Sequence, residues 1–214
     1  MTPSPETGGD FDRGSWDRRW SQALRKGAQV VAQRPPNAHL LAEVADLRPG
    51  RALDAGAGHG AETLWLAARG WQVTAVDFST TALEHARSGA EALGEDVAER
   101  IEWVAADLAT WIPQPARFDL VACFYVHVAG SVPAMVRRLA AGVAIGGTLL
   151  LVGHRPIDPT TGAPTPAADQ VQVSVDIVVA ELRSDRWEVL VAEDRPREVA
   201  GSGVDAVVHA RRLA

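Results

Sequence analysis

Cysteine is nearly missing from this 214-residue sequence. The single Cys123 sits in an apolar run and cannot form an internal disulfide; this fits a reducing compartment, and the thiol reads as packing. One cysteine gives no zinc-type ligand spacing, and no acidic cluster of the kind that holds magnesium is present, so no metal is expected. Long apolar runs are missing as well. The best candidates, such as 148–152, are strand-sized and fall far short of the roughly 18 residues that span a bilayer. Residues 1–10 are polar, with Pro and Gly, and lack the basic start and apolar stretch of a secretory signal. These absences predict a soluble, cytoplasmic chain with no membrane partner. Positive charge is in deficit: 21 Lys and Arg face 27 Asp and Glu, for a net charge of −6. Such a surface repels a polyphosphate backbone, so nucleic acid is not an expected partner. There is no internal repeat and no heptad run. A hydrolase nucleophile elbow is missing too, because Gly201-Ser202-Gly203 falls in a late loop rather than between a strand and a helix.

What is present has a clear order. A chain of 214 residues with 47% hydrophobic composition can bury the core of one domain. Residues 1–14 are expected to be a disordered tail and 15–214 a single domain, with a helical cover over 15–48 and a core over 51–214. The cover opens with a helix from Ser15, in which Trp16 and Trp20 share a face at a spacing of four. A second helix starts at the N-cap Asn37, carries Leu40, Leu41 and Val44, and stops before the Pro49-Gly50 turn. Strand-length apolar runs then alternate with helical segments, the pattern of βαβ units and a doubly wound parallel α/β sheet. Strands are predicted at 52–55, 72–77, 101–105, 120–125 and 147–153. The clearest helix follows Ser79, a good N-cap, with Leu83, Ala86, Ala90 and Leu93 at helical spacing. Others are predicted at about 132–143 and 173–182, before final strands near 187–193 and 204–210. No helix separates those last two strands, so they should pair antiparallel. The Pro- and Thr-rich stretch 155–168 is too long and aperiodic for a tight connection, and reads as a substrate-facing lid or a mobile loop.

The most informative segment is Leu53-Asp54-Ala55-Gly56-Ala57-Gly58-His59-Gly60-Ala61, between a strand and a helix. Its glycines allow a sharp turn and a close backbone approach to a nucleotide. The next strand ends in Asp77, 23 positions after Asp54, where a carboxylate can accept from ribose hydroxyls. Gly56, Gly58 and Ala61 also satisfy the G-x-G-x-x-G/A pattern of a NAD-dependent oxidoreductase. Three features oppose that reading. Asp54 would crowd a pyrophosphate but suits an ammonium by charge attraction. Asp107 follows the third strand, where it can accept from an adenine amino group. The antiparallel ending is foreign to the dinucleotide fold.

Together, Asp54-Ala55-Gly56-Ala57-Gly58-His59-Gly60, Val76-Asp77-Phe78-Ser79, Ala106-Asp107-Leu108 and Phe118-Asp119-Leu120-Val121 resemble the successive motifs of class I S-adenosylmethionine-dependent methyltransferases. The resemblance runs from about Trp16 to the end of the chain. It implies a Rossmann-like seven-stranded sheet in the order 3-2-1-4-5-7-6, with strand seven antiparallel. Trp16-Asp17-Arg18-Arg19-Trp20, with Trp65-Leu66-Ala67-Ala68-Arg69-Gly70-Trp71, is similar to the thiopurine and tellurite-resistance type, in which a W-x-x-x-W segment covers the cofactor. The loop departs from that type at Ala57, where a cysteine is common. The implied cofactor is S-adenosylmethionine and the implied partner a small-molecule methyl acceptor; a non-catalytic binder of that cofactor or of another adenine nucleotide is the alternative.

The expected cofactor contacts are Asp54, Ala55, Gly56, Gly58, Asp77, Phe78, Asp107, Leu108 and Phe124, with Trp16 and Trp20 as the cover. Simpler readings stand beside some of them. Asp107 can cap the turn that follows it, Phe78 can pack beneath the sheet, and the Trp16 and Trp20 pair can bury apolar area for its own sake. Asp119, Trp65 and Trp71 read as structural. His127 and His154 follow the fourth and fifth strands, at the carboxyl ends where ligands of open α/β sheets sit, and are the candidates for a base. His127 is the better placed, because strand four neighbours strand one and its glycine loop.

Overall fold

The computed structural model describes residues 13–32, 34–128, 130–158, 161–164, 173–183, 185–197 and 203–214. Of the expected tail over 1–14, residues 1–12 lie outside the described residues, as do 159–160 and 165–168 of the 155–168 stretch and the side chain of Trp16; Arg13 and Gly14 belong to the first helix. Helix α1 (Arg13–Ala32) starts two residues ahead of Ser15 and is interrupted at Gly27 by an extended backbone, φ 172° and ψ 75°. Helix α2 (Ala38–Val44) is capped as expected: the Asn37 side chain accepts from His39 N at 2.8 Å.

The core follows. It runs β1 (Arg51–Ala55), α3 (Ala61–Ala68), β2 (Gln72–Asp77), α4 (Thr80–Leu93), α5 (Glu95–Ala98), β3 (Ile101–Ala105) and β4 (Phe118–Phe124). Then come α6 (Val132–Gly142), β5 (Val143–His154), α7 (Val175–Glu181), β6 (Trp187–Pro196) and β7 (Val204–Arg212). Strands and helices alternate except at α4–α5, β3–β4 and β6–β7. The strands form one seven-stranded sheet in the order β3-β2-β1-β4-β5-β7-β6. Neighbours from β3 through β5 are parallel, and β7 is antiparallel to both β5 and β6. This is the sheet that the motif resemblance implies.

Both faces of the central strands are covered, so β1, β4 and β5 are buried along most of their length, while the edge strands β3 and β6 are only partly covered. Successive residues of a strand point to opposite faces. Thus Leu149 and Leu151 of β5 join Val121, Met135 and Leu139 in one core, under α6 and α7. Leu150 and Val152 join Leu120, Leu66 and Trp71 in the other, under α2 and α3. Trp71 is buried as expected; Trp65 is only partly buried, with the Arg69 guanidinium 4.0 Å from its ring centre.

A few boundaries differ from expectation. Leu93 keeps its helical spacing but is exposed, because α4 ends there and Gly94, at φ 124°, turns the chain away. Strand β5 begins at Val143 instead of 147, taking the last residue expected in α6. Tyr125, expected as the end of the fourth strand, leaves it in a left-handed conformation with φ 53°. The one-turn helix α5 is too short for any periodicity to reveal. At the opposite end of the sheet from the site, Asp119 is structural, accepting from Arg51 N at 2.8 Å across β1 and β4.

Candidate functional site

The chain leaves β1 at Ala55 and turns into α3 through Gly56, Gly58 and Gly60, at φ 89°, 50° and 86°. Only glycine adopts such angles without strain. Space makes the same demand: a Cβ on Gly56 would lie 2.2 Å from Val126 Cγ2, and one on Gly58 3.0 Å from the Trp20 ring. The loop is pinned to β2. Gly56 N and Ala57 N donate to Val76 O at 2.8 and 3.0 Å, and Gly58 N donates to Asp77 Oδ2 at 2.9 Å. The other Asp77 oxygen accepts from Ser79 N at 2.8 Å. Each carboxylate oxygen therefore retains a lone pair for a further donor. Burial pushes the Asp77 carboxyl up from its ordinary value. Ser79 caps α4, accepting from Ala82 N at 3.2 Å, and donates its own hydroxyl to Asp17 of α1 at 2.5 Å. That bond ties the cover helix to the end of β2, and the Trp20 ring of the same helix lies 5.5 Å from His59.

Between these parts, at the carboxyl ends of the strands, is a cavity of about 710 Å³. Of the expected site residues, Trp20, Gly56, Gly58, Asp77 and Phe78 line it from the cover, the loop and β2. Asp107 and Leu108 line it beyond β3, Phe124 and His127 at and beyond β4, and His154 at the end of β5. Asp107 also caps its own turn, accepting from Ala109 N at 2.8 Å, so the local and the cavity roles coexist.

Asp54 and Ala55, also expected as contacts, lie behind the residues that line the cavity. Ala55 is fully buried in the core beneath the loop. The Asp54 side chain, 1% exposed, turns under α3 and accepts from Thr63 Oγ1 at 2.5 Å. Burial, aided by the charge of Glu62, pushes its carboxyl up to about 7.

Several lining residues were not among the expected contacts. Glu62, in the first turn of α3, accepts from Asn37 N at 2.9 Å and is raised by burial. His59 is pushed down to about 4, chiefly by burial, and so is neutral near pH 7. The largest omission is a polar cluster beyond β4 and β5. Tyr125 donates to Asp205 Oδ2 at 2.7 Å and stacks on His154, ring centres 4.0 Å apart and planes 19° apart. Asp205 of β7 is 1% exposed. It also bonds His154 Nδ1 at 3.2 Å, His39 Nε2 at 3.3 Å and both Nε and Nη2 of Arg197, at 3.0 and 2.8 Å. Arg197 packs against the His154 ring as well. Burial alone would raise Asp205, but the His39 and Tyr125 bonds and the Arg197 charge outweigh it and hold the carboxyl low. Burial and the Asp205 charge push Tyr125 up to about 12. Among the described residues, no group of three or more His, Cys, Asp or Glu side chains is placed to hold a metal ion, and no helix is long and apolar enough to cross a membrane.

Comparison with known proteins finds methyltransferases on this geometry. Residues 52–147 match the methyltransferase domain family. The chain is 33% identical over 136 residues to trans-aconitate 2-methyltransferase of Paracidovorax citrulli, covering 62% of this chain and 49% of that protein. It is 29% identical over 154 residues to probable thiol methyltransferase 2 of Arabidopsis thaliana, covering 71% and 66%. The chain thus spans half to two thirds of the length of these curated relatives. In fold it is similar to an S-adenosylmethionine-dependent methyltransferase from Mesorhizobium loti, with a TM-score of 0.63, 22% identity, and coverage of 83% and 99%. The match over residues 52–147 supports a methyltransferase domain, and the seven-stranded sheet and glycine loop are similar in fold to those of class I S-adenosylmethionine-dependent methyltransferases.

Proposed function

We propose that this chain transfers the methyl group of S-adenosylmethionine to a small-molecule acceptor inside the cavity at the carboxyl ends of β1, β2, β4 and β5. The observation that carries the reading is the glycine loop, where added side chains would collide with Val126 and Trp20, adjoining a carboxylate that already orders the loop and can still accept. These residues fit the cofactor. Asp77 would accept from the ribose hydroxyls, Phe78 and Leu108 would hold the adenine between them, and Asp107 would accept from its amino group. Trp20 would close the site from above. When bound, S-adenosylmethionine supplies a methyl group already activated by its sulfonium. The chain's work is then to align the acceptor for in-line transfer and to exclude water.

His127 and His154 belong to the acceptor side of the cavity, with Tyr125. A base matters for an acceptor that must lose a proton, such as a hydroxyl, and hardly at all for a thiolate. Trans-aconitate and thiols, named for the two relatives, are the first acceptors to try. The test is calorimetry with S-adenosylhomocysteine and with NAD, followed by transfer of a labelled methyl group to thiols, phenols, amines and trans-aconitate. Binding of S-adenosylhomocysteine with transfer to one of these supports the proposal. Tight NAD binding would return the chain to the oxidoreductase reading, and binding with no transfer to any acceptor would favour a non-catalytic role.

A further inference from the structure

Around the inner end of the cavity lie carboxyl groups that have no ion-pair partner among the described residues. Asp54 and Glu62 are neighbours across the start of α3, and Asp77 adds a third carboxyl from β2. Among the described residues, no Lys, Arg or His forms an ion pair with any of the three. Arg34 lines the same cavity but is exposed. Enclosed carboxyls without a counter-charge are costly, and proteins tolerate them where a ligand supplies the missing charge. Of the three, Asp54 is closed off behind Thr63, and Asp77 is committed to Gly58 N and Ser79 N. Glu62 differs. It reaches the cavity, and its one hydrogen bond to another residue is accepted by Oε1 from Asn37 N, which orients the carboxyl.

The order of the strands says which end of the ligand lies there. Asp107 and Phe78 are at the ends of β3 and β2, Asp77 at the end of β2, and Glu62 beyond β1, so adenine, ribose and amino-acid end follow one another across the sheet. We propose that Glu62, in place of the enclosed Asp54, is the carboxylate that receives the ammonium group of the cofactor's amino-acid end. This rests on the cofactor reading above. The raised carboxyls of Glu62 and Asp54 accord with it, since a cation beside Glu62 restores the charged form that burial disfavours.

The test uses the full chain, with S-adenosylhomocysteine and its deaminated analogue as calorimetric probes. The wild-type protein should prefer S-adenosylhomocysteine by about 10-fold or more, the range for a hydrogen bond to a charged group. Glu62→Gln keeps the acceptor for Asn37 N and should abolish that preference by weakening S-adenosylhomocysteine alone. Asp54→Asn should retain it. If Glu62→Gln keeps the wild-type preference, or weakens both probes equally, the assignment is overturned. If neither probe binds the wild-type protein, the cofactor reading falls, and this assignment with it.

Discussion

Replacing Asp54 with Asn should change how the stability of the ligand-free protein depends on pH. Asp54 is 1% exposed, and its carboxyl is raised from an ordinary 3.8 to about 7, by burial first and then by the neighbouring Glu62 charge. In the unfolded chain the same group ionises near 3.8. Between these two values the folded state holds a proton that the unfolded state has lost, so stability falls as pH rises. The favourable contribution is complete below about 3.8 and gone once pH has passed about 7. At about 1.4 kcal/mol per pH unit for one proton, the loss from pH 5 to pH 8 is on the order of 3 kcal/mol. Because the group is enclosed, solvent screening does not reduce this much. The amide of Asn accepts from Thr63 as before but does not titrate; its new N–H group adds a cost that is the same at every pH. The difference between variant and wild type should therefore grow in the variant's favour by about 3 kcal/mol from pH 5 to 8. For a chain of this size that is roughly 6–12 °C in Tm. Thermal melts of both proteins at pH 5, 6, 7 and 8 measure it; titrating groups away from Asp54 are common to both curves, while the neighbouring Glu62 responds to the lost charge. Parallel curves across that range would refute the claim that Asp54 is held as an acid.

Asp77→Asn places an NH2 where Gly58 N or Ser79 N now donates, so it should weaken S-adenosylhomocysteine binding by about 1.5–3 kcal/mol; an unchanged affinity by calorimetry removes Asp77 from the site. Gly56→Ala drives a Cβ to 2.2 Å from Val126 Cγ2 at φ 89°, so cofactor affinity should be lost, and Val126→Ala in the same chain should restore only part of it, because the left-handed backbone still costs about 1–2 kcal/mol. Full rescue would show that space alone excludes a side chain there. Tyr125→Phe removes one of the bonds to the buried Asp205 and should lower stability by about 1–2 kcal/mol in urea denaturation, whereas a change below about 0.5 kcal/mol would mean the remaining donors suffice.

The fold was legible because its signals are local. The runs at 72–77 and 101–105 coincide with β2 and β3: β2 is buried from Val73 onward, and the edge strand β3, only partly covered, still alternates apolar Ile101 and Trp103 with Glu102. Asn37 and Ser79 announce their helices through a side chain that bonds the backbone two or three residues ahead, an interaction no distant contact has to complete. Leu93 shows where locality fails. Its helical spacing is right, but whether it is covered depends on what packs beside the last turn of α4, and nothing does.

The site divides along the same line. Gly56, Gly58 and Asp77 form a unit within two adjacent βα turns, so their chemistry can be read from consecutive residues. Asp54 lies in that stretch too, yet the sequence cannot say which way its carboxyl turns. Thr63, nine positions on, decides it by offering a hydroxyl beneath α3 and drawing the group away from the cavity. The acceptor side depends entirely on distant partners. Asp205 meets His154 because antiparallel β7 sets those two residues opposite each other on β5, and it meets Tyr125 and His39 across 80 and 166 positions. A one-residue slip of β7 would turn Asp205 to the other face and leave His154 opposite Val204 or Ala206. The pairing is thus a property of the strand register, which no single segment encodes. Yet Tyr125 holds a left-handed backbone angle that a tyrosine adopts only under constraint. That strain falls where the chain leaves β4 into the cavity, with the aromatic ring fixed between His154 and the buried carboxylate. The least legible residues of this protein are therefore those that shape the space beyond the glycine loop, where the proposed function puts the acceptor.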